Sequence, residues 1–331
     1  MELAGLNILV TGAGGFIGSH LSERLAQEAR ALVLLDDFSI GRRENLSSIE
    51  GDPHVRIVEV DVTDLAPMRE HMAGIDLVFH LAVSCLRTSL GDPHKSHEVN
   101  AGGTLNTCLA AHEHGVGRFV YVSSSEIYGT ATTTPMTERH PTRPLTVYGA
   151  SKLAGEDYAL AFWHTHRMPV SIVRPFNTYG PREPHAGTRA EVIPRFILRV
   201  LRGQPPVIYG SGAQTRDFTF VTDTVEGIVR AAACDALVGD IVNVAYGREV
   251  SIARIAELVA TRLGEGALGA KSAAPRPGDV DRHFADIEKA KRLFGYAPRV
   301  ALEEGLEKTI AWFEEQKLHE RTEDDAAAPN W

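Results

Sequence analysis

The stretch Asn7–Gly18, NILVTGAGGFIG, decides the fold. Asn7–Thr11 is a short apolar run that ends in glycines, and a helical pattern opens directly behind it. Gly12, Gly15 and Gly18 are three residues apart. The first permits a tight turn. The second lets backbone N–H groups approach a pyrophosphate, and the third lets helix and strand pack closely. Asp36 ends the next apolar run, near the place where an acidic residue meets the adenosine ribose hydroxyls of a bound dinucleotide. A carboxylate there repels a 2′-phosphate, so the expected cofactor is NAD rather than NADP. Arg42 and Arg43 follow closely and read as a solvated turn.

Outward from this loop, short apolar runs alternate with helical patterns. The runs are Ala31–Leu35, Val55–Val60, Leu77–Leu81, Phe119–Ser123 and Val170–Arg174. Gly18–Glu28 and Ala101–His114 carry helical spacing between them. This alternation predicts an α/β, Rossmann-like, doubly wound parallel sheet. Runs apolar on consecutive residues suit strands covered on both faces. Beyond about residue 175 loops rich in Pro, Gly and Arg appear, with helical patterns at Val192–Leu201, Thr222–Cys234 and Ser251–Leu263. The expectation is an NAD-binding domain over 1–176 and a smaller α/β substrate domain over 177–318. Within it, about 215–250 is free to return to the first domain. Residues 319–331 are expected to form a flexible tail.

Composition narrows the function. A chain of 331 residues allows about two domains. A formal net charge of −9 makes a nucleic-acid groove or an anionic membrane surface an unexpected partner. No apolar run reaches membrane-spanning length, and no signal segment is evident. Cys85, Cys108 and Cys234 lie far apart without ligand spacing, so neither a disulfide framework nor a metal site is expected. That pattern fits a reducing, cytoplasmic compartment.

The chemistry is carried by two segments. Tyr148 and Lys152 are four residues apart, hence on one face of a helix. Ser123-Ser124-Ser125-Glu126 follows an apolar run and reaches the carboxyl edge of the sheet, where such folds bind ligands. A phenol is too weakly acidic to serve as a base at neutral pH. A nearby ammonium and a positive nicotinamide ring both favour the phenolate. It could then take a hydroxyl proton as the carbon beneath gives hydride to NAD.

These motifs, in this order, resemble the extended short-chain dehydrogenase/reductases of the nucleotide-sugar epimerase/dehydratase family. They are TGAGGFIG, HLA at His80–Ala82, SSSEIYG at Ser123–Gly129, YGASK at Tyr148–Lys152 and RPFNTYGPR at Arg174–Arg182. QTRDFTFV at Gln214–Val221 and RPGDV at Arg276–Val280 follow. The resemblance covers about residues 5–315. It implies NAD held by Gly12, Gly15, Phe16, Ile17, Gly18 and Asp36, with Asp61 and Val62 at the adenine and Leu81 and Ala82 along its middle. Ser84, Ser123 and Pro175 also fall to the cofactor, and Asn100 supports the active-site helix or caps a loop. Tyr148 is implied as the base, Lys152 as its tuning partner on the nicotinamide ribose, and Ser124 as the helper at the sugar C4 hydroxyl. Asn177 and Arg216 are implied for the substrate diphosphate and Arg276 for the nucleotide. Val192 and Tyr209 are placed against the substrate. The expected partner is a nucleotide-diphosphate sugar, and the expected assembly is a homodimer through Ala101–His114 and the helix bearing Tyr148.

After C4 oxidation three outcomes compete: 4-epimerisation, loss of water to a 4-keto-6-deoxy sugar, or loss of carbon dioxide from a uronate. The resemblance makes Glu126 the discriminating residue. Simple 4-epimerases of the family carry a small residue there, whereas 4,6-dehydratases and uronate decarboxylases carry Glu. Ser125 stands where dTDP-glucose-type dehydratases have Asp, so that substrate is less expected. A lyase reaction is therefore favoured over a 4-epimerase, and a non-catalytic NAD sensor is the remote alternative. Arg87 either meets a sugar carboxylate, pairs with Glu98, or binds a phosphate. Specificity is expected in the loops 83–93 and 183–192.

Overall fold

The computed structural model describes residues 1–276 and 280–320. The first half lays down six parallel strands: β1 (Asn7–Thr11), β2 (Ala31–Asp36), β3 (Val55–Glu59), β4 (Leu77–His80), β5 (Arg118–Val122) and β6 (Val170–Pro175). The intervening helices are α1 (Phe16–Ala26), α2 (Leu65–Met72), α3 (Leu86–Gly91), α4 (Pro93–His97), α5 (Thr104–Glu113) and α6 (Val147–His166). The second half adds β7 (Thr178–Tyr179), α7 (Val192–Leu201), β8 (Val207–Tyr209), β9 (Thr215–Arg216), β10 (Thr219–Phe220) and α8 (Val221–Ala233). The chain then returns to the main sheet with β11 (Asp240–Val244), which pairs in parallel with β6. The strand order is β11-β6-β5-β4-β1-β2-β3.

Alternate residues of the central strands face opposite layers. Ile8 and Val10 pack with Leu21 and Leu25 of α1 and with the apolar stripe of α8. Leu9 packs with Met68 of α2, Cys108 of α5 and Ala159 of α6. With both faces covered, the strands are buried along almost their whole length, which is why they read as continuous apolar runs. The order reverses between β1 and β4. The crevice beyond the carboxyl ends of those two strands is where such sheets bind ligands.

Three expectations need correction. The helix expected from Ala101 begins regularly only at Thr104, because Glu98–Gly103 winds as a π-helical segment. The tail does not loosen at 319. Leu318–Glu320 forms a short 3-10 turn with Leu318 buried, and Arg202 Nε donates to His319 O at 3.0 Å. The rest of the expected tail, and Pro277–Asp279 of the RPGDV motif, lie outside the described residues. Arg87 does not pair with Glu98: its Nη2 lies 3.1 Å from Glu191. Among the described residues no helix is long and apolar enough to cross a membrane, and no cluster suits a metal ion.

Candidate active site

A cavity of about 610 Å³ opens at the β1/β4 reversal and runs beneath the second half of the chain. Every residue assigned to a site from sequence lines it except Asn100. Asn100 sits behind the wall as a clasp. Its Oδ1 accepts from Ser84 N at 2.7 Å, and its Nδ2 donates to Ser84 O at 3.0 Å and to Ser151 Oγ at 3.0 Å. Ser151 belongs to α6, so this amide ties the Ser84 loop to the helix that carries Tyr148 and Lys152.

The floor of the cavity is the glycine loop. Gly12 has φ +70°, and a Cβ there would lie 2.7 Å from Ala82 N and from the Leu81 carbonyl carbon. The two chain segments at the switch point thus touch backbone to backbone. Helix α1 starts at Phe16 with Gly15 as its N-cap, no side-chain cap and no acid in its first turn. Its first N–H groups and the positive end of its dipole therefore face the cavity undisguised, as a pyrophosphate requires.

Asp36 lies at the end of β2. Its oxygens accept from Gly14 N and Phe38 N, both at 2.8 Å, and burial pushes its carboxyl above the usual range. Each oxygen keeps a second lone pair for a ribose hydroxyl. Asp61 accepts from Thr63 N and is joined by Lys95 at 3.3 Å. Sequence reasoning missed Lys95, which has no motif around it. Ser84 Oγ and Ser123 Oγ are buried on the cavity wall without a hydrogen-bond partner among the described residues, as is Asn177 Oδ1. Buried polar atoms of this kind call for a ligand or water. The cradle, the bare helix end and these atoms together fit NAD.

The reacting groups meet at the carboxyl ends of β5 and β6. Thr146 caps α6 by accepting from Gly149 N at 3.1 Å, which places Tyr148 in the helix's first turn. Tyr148 is half-buried on the cavity wall, its hydroxyl hydrogen-bonded to Ser124. Burial pushes the phenol up, the Ser124 bond pulls it down, and the charges of Glu126, Cys85 and Glu191 push it up again. Lys152 lies one turn further on, with Nζ donating to Val122 O at 2.8 Å. Burial brings its ammonium down to about 7, against the opposing pull of Glu156. Glu156 itself is locked to Arg174 of β6 by two hydrogen bonds of 2.9 and 2.6 Å.

Ser124 Oγ also accepts from Glu126 N at 3.2 Å, holding the Ser125–Ile127 turn. His283, unmarked in sequence, donates from Nε2 to Ser125 O at 3.0 Å. Burial, with the Arg216 charge, drops its imidazole to about 3, so it is a neutral prop beneath the loop. His80 is likewise neutral, lowered to about 3 by burial, and joins Thr11 to Thr104 across the sheet.

At the far end, Arg276 lies 4.3 Å over the Tyr209 ring. Arg216 donates to Thr215 O and Val280 O at 2.8 and 2.7 Å. Val192 opens α7 at the cavity edge. Pro175 closes β6 beside Asn177.

The model of the NAD dependent epimerase/dehydratase family matches residues 8–245. A UDP-glucose 4-epimerase of Mycolicibacterium smegmatis is 37% identical over 93% of this chain and 98% of its own length. UDP-glucuronic acid decarboxylase 1 of Xenopus tropicalis is 34% identical over 95% of this chain and 73% of its own. A dTDP-glucose 4,6-dehydratase of Streptomyces venezuelae, solved with NAD bound, superposes with a TM-score of 0.89. It is 31% identical, covering 94% of this chain and 98% of that one.

Proposed function

The chain belongs to the NAD-dependent epimerase/dehydratase family, and from that membership we propose that it oxidises a nucleotide-diphosphate sugar at C4 and then acts at C5 as a lyase. NAD, when bound, accepts a hydride from the sugar carbon, returns one later, and brings a positive ring that favours the phenolate. Tyr148 takes the C4 hydroxyl proton, Ser124 shares the hydrogen bond to that oxygen, and the Lys152 ammonium stabilises the charge on Tyr148. The start of α6 adds its dipole in the same sense.

The observation that carries the lyase reading is the placement of Glu126. It lines the cavity wall, and its charge makes Tyr148 harder to ionise. A carboxylate that opposes the catalytic base is explained if it handles a proton of its own at C5, which the 4-ketone acidifies. In dehydration Glu126 removes H5 as hydroxide leaves C6 with a proton. In decarboxylation the C5–C6 bond breaks as carbon dioxide leaves, its electrons enter the enolate, and C5 takes a solvent proton that the Glu126 carboxylate relays to it. Ser125 offers no carboxylic acid to a departing hydroxyl, which favours loss of carbon dioxide over loss of water. The second reading is a 4-epimerase, favoured by the 37% identity to the Mycolicibacterium protein.

The test is incubation of the NAD-loaded protein with UDP-, GDP-, CDP- and dTDP-sugars in deuterated water, read by mass spectrometry. A product lighter by 44 or 18 mass units, apart from incorporated deuterium, with deuterium entry at C5 lost in Glu126→Gln, is expected. An isomer of unchanged mass, formed equally well by Glu126→Gln, replaces the lyase by the epimerase. We also propose a homodimer through α5 and α6, whose outer faces leave Leu105 and Val147 exposed. Light scattering at micromolar concentration that returns a single chain mass refutes it.

A further inference from the structure

The segment that follows β5 belongs to the first half of the chain, yet it is stitched to the second. Ala131 N donates to Arg282 O at 3.4 Å, Met136 N to Phe284 O at 2.7 Å, and Asp286 N to Met136 O at 2.9 Å. Ile127, Tyr128 and Met136 share a small apolar cluster with Phe176, Ala285 and Ile287. The remaining stitch is made by a side chain: His283 Nε2 donates to Ser125 O at 3.0 Å.

That bond is what a histidine adds here. His283 is fully buried, its ring 5.0 Å from that of Phe176. The imidazole is neutral and has one N–H to give. A carbonyl can only accept, so the ring proton sits on Nε2 and is spent on Ser125. Nδ1 is buried with no hydrogen-bond partner among the described residues. An apolar side chain would fill the same space without the cost of an unpaired buried nitrogen.

The strand Arg282–His283 runs parallel to β9, with His283 opposite Arg216 in the register. Arg216 faces the cavity and donates to Val280 O, two residues before Arg282's strand begins. One ladder thus carries the arginine expected at the substrate diphosphate and the histidine that holds the Ser125 carbonyl. Ser125 directly precedes Glu126, whose N–H is bonded to Ser124 Oγ. Tyr148 and Lys152 are placed otherwise, by the Thr146 cap of α6 and by the Val122 carbonyl of β5. The first half places the base for C4, whereas both halves hold the turn that carries Glu126.

We propose that His283 is a positioning residue that ties Glu126 to the strand bearing Arg216, so that the step at C5 depends on it and the oxidation at C4 does not. This rests on Glu126 acting at C5 as proposed above. A carboxylate moved by about 1 Å from its proton can lose about 100-fold in rate.

The NAD-loaded protein is mixed in deuterated water with UDP-glucose, UDP-glucuronate and their GDP, CDP and dTDP counterparts. Absorbance of the reduced cofactor reads oxidation at C4 in a single turnover, and mass spectrometry reads deuterium at C5. His283→Leu is expected to slow deuterium entry at least about tenfold and C4 oxidation by less than about threefold, so reduced cofactor accumulates. His283→Gln, whose amide can donate to Ser125, should recover much of the C5 step. Arg216→Met should slow the C5 step at saturating substrate in the parent, but not further in His283→Leu. If His283→Leu does not fold, His283→Met, also without a donor, takes its place.

A histidine that only fills its site predicts otherwise. Both steps would then suffer alike or neither would, and Gln would do no better than the apolar variant. Either result overturns the inference alone, provided the parent places deuterium on C5. A parent that places none there overturns the lyase reading and this inference with it.

Discussion

Lys152 Nζ donates to the main-chain oxygen of Val122 at 2.8 Å, so the ammonium under Tyr148 is held by the end of β5. The Tyr121 ring lies beneath it, its centroid 4.4 Å from Nζ. No carboxylate pairs with it directly among the contacts described, and burial brings it down to about 7. Between that value and the unfolded value near 10.5, the unfolded chain holds a proton that the folded chain lacks. Stability from this group therefore rises with pH over that window and carries its full penalty below it. Lys152→Met is expected to stabilise the protein by about 1–3 kcal/mol at pH 6.5 and to lower turnover by about 100-fold or more. Urea denaturation at pH 6.5 and 9.5 checks the first part. A variant less stable than the parent at pH 6.5 contradicts it.

The segment after β7 straps the second half onto α1. His20 donates to Pro181 O at 3.0 Å, Arg182 reaches Glu23 at 2.6 Å and Ser19 at 3.3 Å, and Arg189 donates to Ser39 O at 3.1 Å. Of these residues Arg189 and Ser39 line the cavity, so the strap borders the cleft in which a dinucleotide would lie and is expected to slow its release. Arg182→Ala removes two of these bonds and is expected to speed NAD loss about tenfold. Dilution of the loaded protein, followed by the absorbance of released cofactor, measures it. An unchanged rate means that the strap does not control release.

The parts legible in the sequence are those set by short-range periodicity. Strand runs such as Val170–Arg174 and the helix Val192–Leu201 are visible because neighbours in sequence share one environment. The π-helical start at Glu98–Gly103 is not, because the Asn100 clasp across to Ser84 and Ser151 is tertiary. The Tyr148 and Ser124 segments are recognisable as motifs, yet their hydrogen bond is an outcome of folding. Arg87 shows the limit most clearly. Glu98 is near in sequence, but the partner found is Glu191, 104 residues away. Lys95 and His283 have no telltale spacing, and only the fold brings Lys95 to the cavity and His283 beneath the Ser125 loop.

Gly12 joins the two halves of the sheet at their closest approach. Its φ of +70° disfavours a side chain, and a Cβ would meet Ala82 N and the Leu81 carbonyl carbon at 2.7 Å, which are backbone atoms that cannot turn aside. Gly12→Ala is expected to cost about 1–3 kcal/mol and to weaken NAD at least about tenfold. Thermal unfolding with and without NAD separates the two losses. Full affinity in the variant would mean that the β1 and β4 ends can part without disturbing the cradle.

Asp217 is fully buried and accepts from the backbone N–H groups of Tyr246, Gly247 and Ala285 at 3.1–3.2 Å. It pins the QTRDFTFV segment to the turn after β11. Burial pushes its carboxyl up to about 7, although each backbone bond pulls it down. The unfolded carboxyl ionises near 3.8, so between about 4 and 7 the folded chain holds the extra proton. Stability from this group accordingly falls as pH rises through that window and levels off above it. Asp36 and Glu183 are pushed the same way, while His80 and His283, lowered to about 3, act in the opposite sense. Comparison with Asp217→Asn isolates the one carboxyl. Asn keeps a single acceptor oxygen and turns an NH2 toward backbone donors, so it should destabilise by about 1–3 kcal/mol. Because the Asp217 contribution falls from pH 5 to pH 8 and Asn does not titrate, the gap should be wider at pH 5 than at pH 8. Denaturant titrations at the two pH values measure the gap, and an equal gap at both would show Asp217 ionised throughout.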